Sequence, residues 1–143
     1  MSEELESFAF KAISPQSTLI HSDSVSFLKV PGFNGEVGIL PNHSPALINL
    51  DAGEILLQVG TQTDWYFISE GLLEITPDSV TLLTPYIEKG SEIDENRANQ
   101  SLDRAKRRLE NPAESIDINR AKQSMHRATN RLKLHARLHT KSI

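Results

Sequence analysis

The side chains best equipped for chemistry stand in the last third of the chain. Arg97 and Arg104 are seven residues apart, and Arg127 and Arg131 are four apart. On helices, each pair shares a face. Asp94 precedes the first pair, and Glu88 stands a little further back. Arginines gathered in one place repel unless an anion or carboxylates come between them. Such a cluster can grip a phosphate chain while Asp94 and Glu88 reach a base or ribose. The competing reading pairs the arginines with Glu92, Glu95 and Asp103. His135 and His139 stand at i, i+4, a spacing that suits zinc on a helix. No third ligand accompanies them, so a solvated helix face is the expectation and no metal is assigned. The sequence has no cysteine, which excludes thiolate metal sites and disulfides. It also has no Gly-x-Ser-x-Gly motif and no paired carboxylates in a recognisable setting. The expectation is a non-catalytic protein with no required cofactor.

Helices must position these arginines. Ala98, Leu102, Ala105 and Leu109 follow 4-3-4 spacing, as do Ala121, Met125, Ala128 and Leu132. Each set makes one narrow apolar stripe of the kind that pairs two helices. Asp94 is placed to cap the first helix, and Asp117 or Ser115 the second. Asn111-Pro112-Ala113-Glu114-Ser115 breaks the pattern and predicts a turn. The result is an antiparallel helical hairpin with Arg97 and Arg131 at similar heights. Its alanine-rich seam is thin, because an alanine buries little area and burial is worth roughly 25 cal/mol per Å2. Such a hairpin has low intrinsic stability and is open to displacement by a ligand or partner; the competing reading of the same periodicity is a plain structural hairpin docked permanently on the β-module.

Upstream, the patterning is β. Phe8–Ile13, Ser24–Val30, Glu36–Leu40, Ala46–Leu50, Glu54–Val59, Trp65–Ser69, Leu72–Ile75 and Val80–Leu83 are short apolar runs bounded by turn residues. Nothing between them is long enough for a crossover helix, which argues against a parallel sheet. The predicted class is α+β: an antiparallel β-sandwich or flattened barrel over residues 1–87, then the helical hairpin over 88–143. Charge divides the chain in the same way. Through Thr84 there are two lysines against eleven acids, a net −9; from Pro85 onward, thirteen basic residues against eight acids give +5. Two charge regimes imply two sets of partners. The start, Met1-Ser2-Glu3-Glu4-Leu5-Glu6, is acidic and unlike a signal peptide, and no apolar run nears the roughly 20 residues that span a bilayer. A basic hairpin also fits a nucleic-acid-binding module. Against that reading, acids alternate with the basic residues, the whole chain is acidic, and the hairpin has no aromatic residue to stack on bases.

The segment Pro31 to Pro45 is rich in glycine and proline. It contains Pro31-Gly32, Gly35-x-x-Gly38 and Leu40-Pro41-x-His43-x-Pro45. Gly71-x-x-Glu74-x-x-Pro77 and Ile93-Asp94-x-x-Arg97-Ala98 follow in order. In these motifs the sequence resembles the epsilon subunit family of F-type ATP synthases, over roughly Phe8 to Leu138. It departs from the family's usual pattern at Phe33-Asn34, at Asn42, where glycine is common, and at Glu70. The resemblance implies a rotor subunit of a proton-translocating ATP synthase, peripheral on the cytoplasmic face of the bacterial plasma membrane. It implies a β-unit on the gamma subunit and the c-ring, with Glu36 and His43 at positions that face the c-ring. It further implies a movable hairpin that meets the alpha and beta subunits and inhibits ATP hydrolysis. Some members bind ATP as a regulatory ligand in the folded hairpin. The positions matching that site are Glu88, Ile93, Asp94, Arg97, Ala98, Arg104, Arg127 and Arg131.

Overall fold

The computed structural model describes residues 6–110 and 118–140. Ten strands come first: β1 (Phe8–Ile13), β2 (Thr18–Val25), β3 (Phe27–Gly32), β4 (Gly35–Ile39), β5 (Ala46–Leu50), β6 (Gly53–Val59), β7 (Gln62–Ile68), β8 (Gly71–Ile75), β9 (Ser79–Leu83) and β10 (Ile87–Lys89). A short 3-10 helix over Gly90–Glu92 leads to α1 (Glu95–Glu110) and α2 (Ile118–Thr140). The chain divides into two compact units, Met1–Glu88 and Lys89–Ile143. No described helix is long and apolar enough to cross a membrane.

In the first unit one sheet runs β10-β7-β6-β3-β5-β8-β9-β1-β2, with β4 paired to β3. It folds over a core of Phe10, Leu28, Val30, Leu50, Ile55, Ile68, Leu73 and Leu82, all 0–1% exposed. This is the expected flattened β-barrel, and sequence neighbours such as β6–β7 and β8–β9 pair antiparallel. β1 and β9 are different. They run parallel, from Ala9 opposite Ser79 to Ile13 opposite Leu83. A parallel pair needs a long connection, and the seven intervening strands provide it without a helix.

The run Ser24–Val30, expected as one strand, is split. Val25 ends β2 and Phe27 begins β3. Buried side chains sit at Val25, then at Leu28 and Val30, so the inward parity changes at Ser26. There the backbone N–H and the hydroxyl of Ser26 both donate to the Gln58 carbonyl, at 2.9 and 3.1 Å. β2 itself, Thr-Leu-Ile-His-Ser-Asp-Ser-Val, buries only its last residue. It is an edge strand, and a polar edge strand gives little hydrophobic signal.

Two glycines of the family motifs have structural reasons. Gly35 turns the β3–β4 hairpin with a φ of +122°, a conformation that L side chains rarely adopt. A Cβ on Gly71 would lie 2.8 Å from the Leu83 carbonyl oxygen across the β8–β9 ladder. Thr84, the one buried polar residue among those described, donates its hydroxyl to the Glu70 carbonyl at 2.6 Å. It thereby ties the end of β9 to the start of β8.

In the second unit α1 and α2 pack together. The alanine seam is as expected: Ala98, Ala105, Ala121 and Ala128 are buried. Leu102, Leu109, Met125 and Leu132 are only half-buried. Leu134, off the expected stripe, is completely buried. On a helix Leu134 lies about 120° round from Ala128, so α2 buries a second face near its end, and α2 also packs on the 3-10 helix. The turn at Asn111–Ser115 and the cap at Asp117 or Ser115 lie outside the described residues.

Candidate functional site

The first turn of α1 is built on Asp94. Its Oδ1 accepts the Arg97 backbone N–H at 3.1 Å, the predicted N-cap. The flanking Ile93 and Ala98 are 5% and 0% exposed. These two serve by packing, and they hold Asp94 and Arg97 at the helix start. Glu88 is half-buried in β10, within the first unit.

Arg97 and Arg104 are exposed on α1, while Arg127 and Arg131 are half-buried on α2. Arg104 Nη2 donates to Ser101 Oγ at 3.3 Å, and Arg127 Nη2 donates to Ser124 Oγ at 3.2 Å. Both helices thus carry the same Ser-x-x-Arg arrangement, with the guanidinium steadied by a neutral hydroxyl one turn earlier. A hydroxyl orients a guanidinium without cancelling its charge. Among the described residues, Glu92 and Asp103 form no ion pair with Arg97, Arg104 or Arg127.

Glu95, expected as an arginine partner, instead meets His135, whose Nε2 lies 3.3 Å from Glu95 Oε2. The contact joins the start of α1 to the end of α2 and sets the antiparallel register. Arg97 then falls roughly level with the turn of α2 that carries Arg131, and Arg104 roughly level with Arg127. His135 does not lie on a solvated face, since its side chain is 15% exposed. His139 stacks on it with ring centroids 3.9 Å apart, and His139 Nδ1 lies 2.9 Å from the His135 carbonyl oxygen. No group of three or more metal-binding side chains forms among the described residues.

A separate surface lies on the first unit. Glu36 is exposed on β4, with Oε2 3.6 Å from Lys29 Nζ, and that ammonium sits 5.3 Å from the centroid of Trp65. A cleft of about 350 Å3 opens between the β3–β4 turn and β5, lined by Phe33, Glu36, Leu47 and neighbouring residues. Phe33 and Leu47 are 67% and 68% exposed and line the same cleft; apolar side chains exposed together, rather than singly, can mark an interaction site. His43 does not line this cleft. It sits in the β4–β5 link, its Nδ1 2.7 Å from the Ser44 carbonyl oxygen. Neighbouring Asn42 has a φ of +66°. Asparagine tolerates that left-handed conformation better than most residues, which explains how it stands where glycine is common.

Comparison with known proteins agrees with this two-part architecture. Residues 7–90 match the family described as ATP synthase, Delta/Epsilon chain, beta-sandwich domain. Residues 91–135 match its long alpha-helix domain. The chain belongs to the ATP synthase epsilon-chain family. The ATP synthase epsilon chain of Lawsonia intracellularis is 43% identical over 104 residues, covering 73% of this chain and 77% of that one. The epsilon chain of Koribacter versatilis is 35% identical over 105 residues, 73% of each chain. The fold also matches a chain of the Euglena gracilis mitochondrial ATP synthase with a TM-score of 0.71 at 17% identity, covering 99% of this chain and 85% of that one.

Within the epsilon-chain family, the helical match spans every proposed arginine and ends at His135. Three features of the site escaped sequence reasoning. Ser101 and Ser124 lie off the apolar stripe, and their only signal is the repeated Ser-x-x-Arg. His135 stands seven residues after Ala128 and fourteen after Ala121, so it continues the alanine seam as a polar residue. Phe33 and Leu47 carry no signal that separates exposed from buried apolar residues.

Proposed function

We propose that this chain is a non-catalytic central-stalk subunit of an F-type, proton-translocating ATP synthase. Its β-unit seats on the gamma subunit and the c-ring, and its hairpin acts as an ATP-responsive brake on hydrolysis. The complex holds it peripherally on the cytoplasmic face of the bacterial plasma membrane. Family membership supports the first part. The second part rests mainly on one observation: arginines on both helices are steadied by serine hydroxyls, with their charge left for an anion.

In the folded hairpin, Arg97, Arg104, Arg127 and Arg131 hold the phosphate chain of ATP. Asp94 has one carboxylate oxygen committed to the cap and offers the other as an acceptor to the ribose or base. Ile93 and Ala98 give the apolar backing. Bound ATP favours the folded hairpin by RT ln(1 + [L]/Kd), roughly 2.7 kcal/mol at a hundredfold excess over Kd. When ATP is scarce the hairpin opens, and its basic helices meet acidic surfaces of the alpha and beta subunits. On the β-unit, Glu36 with Phe33 and Leu47 forms a mixed polar and apolar face for a rotor partner, with His43 in the adjoining link. Polar groups that steer, set around apolar side chains that bury, suit a protein interface.

The test is ATP titration of the isolated chain, followed by hydrogen exchange of α1 and α2. ATP is expected to slow exchange in both helices, and Arg127→Ala to weaken the effect at least tenfold in ATP concentration, about 1.4 kcal/mol for one charged contact. An unchanged exchange pattern at millimolar ATP would remove the sensor while leaving the family membership intact.

A further inference from the structure

The mouth of the hairpin, where α1 begins and α2 ends, holds a contact that the arginine site does not use. Glu95 is the first residue of α1, and His135 lies one turn before the end of α2. Their side chains meet at 3.3 Å, with the imidazole largely enclosed and the carboxylate 61% exposed. His135 occupies the seam position where Ala121 and Ala128 stand earlier. A polar ring in an alanine seam costs desolvation unless it gains a directed bond. Glu95 supplies that bond as an acceptor, which assigns the proton to Nε2. Nδ1 is buried without a partner, and a bare acceptor there costs less than an orphaned N–H. His139 backs the ring by stacking, and its own Nδ1 lies against the His135 carbonyl.

We infer that the Glu95–His135 pair is a clasp that closes the mouth of the hairpin and sets how readily α2 peels from α1. The reason is geometric. Along most of its length the seam is alanine, which contributes little per residue. A single directed bond at the open end then controls the first turns to separate, because opening begins where the helices are not joined by chain. The inference deepens the proposed ATP response: a weaker clasp leaves fewer molecules in the folded hairpin, so more ATP is needed to fill the site.

The test uses the full chain in four forms: native, Glu95→Ala, His135→Ala (the residue of the seam at Ala121 and Ala128) and the double variant. Hydrogen exchange is followed at residues 128–138, with the β-unit amides as internal control. Each single variant is expected to speed exchange in α2 by about three- to tenfold, as loss of one net hydrogen bond with an exposed partner predicts. The double variant should be no faster than the worse single one, the mark of a coupled pair. Equal exchange in all four forms, or additive effects of the two changes, would overturn the clasp. ATP titration of the same proteins separates this inference from the reading it rests on. A rise in apparent Kd by the same factor supports both. Faster exchange in a chain that binds no ATP even in its native form keeps the clasp and removes the sensor.

Discussion

At the scale of single residues, Asp94 performs two tasks that substitution can separate. It caps α1 through Oδ1 and offers a charge beside the arginines. Asp94→Asn preserves the cap, since asparagine caps as well as aspartate. It should leave helicity by circular dichroism unchanged while weakening ATP binding. Asp94→Ala should lose both and cost about 1 kcal/mol of hairpin stability. A loss of helicity in the asparagine variant would contradict this division. Asn42 permits a similar comparison. With φ at +66°, Asn42→Gly should be nearly neutral in thermal melting and Asn42→Ala should cost about 1 kcal/mol. The cap was readable in the sequence because capping is local chemistry, an acid just before an amphipathic run. The Glu95–His135 contact was not, because it joins residues forty positions apart, and its register depends on how two helices settle against each other.

At the scale of elements, strands with regular alternation were readable and those set by distant pairing were not. β6 and β8 bury alternate residues as their patterns imply. β2 hides in polar residues because it sits at an edge, and the parallel β1–β9 ladder has no local signature at all. Close approach in the sheet yields a sharp expectation. Gly71→Ala places a methyl 2.8 Å from a backbone carbonyl of β9, which cannot yield as a side chain could. Thermal unfolding of the β-unit should show a loss of about 1–3 kcal/mol, the range for overpacking. Unchanged stability would mean that β8 and β9 separate more easily than the ladder implies. The alanine stripes of α1 and α2 were legible from their 4-3-4 spacing. Leu134 was not, because it stands about a third of a turn round α2 from the alanine stripe, on a face that the 4-3-4 spacing does not describe.

At the scale of the whole molecule, the division of charge matches the division of structure. An acidic β-unit and a basic hairpin imply different partners for the two units. The arginines of the hairpin were legible as candidates for holding an anion, and the structure adds the serines that steady two of them. The exposed apolar face at Phe33 and Leu47 became visible only in three dimensions, since nothing in the order of residues says which leucine faces outward. We propose the hairpin as the brake and the β-unit as the coupling. The most direct measurement is ATP hydrolysis by the assembled synthase carrying either the full chain or a chain ending at Glu88, at low and at millimolar ATP. The truncated form is expected to hydrolyse severalfold faster at low ATP, with the difference shrinking at high ATP and proton pumping preserved in both. Equal rates at every ATP concentration, or loss of coupling on truncation, would contradict the account.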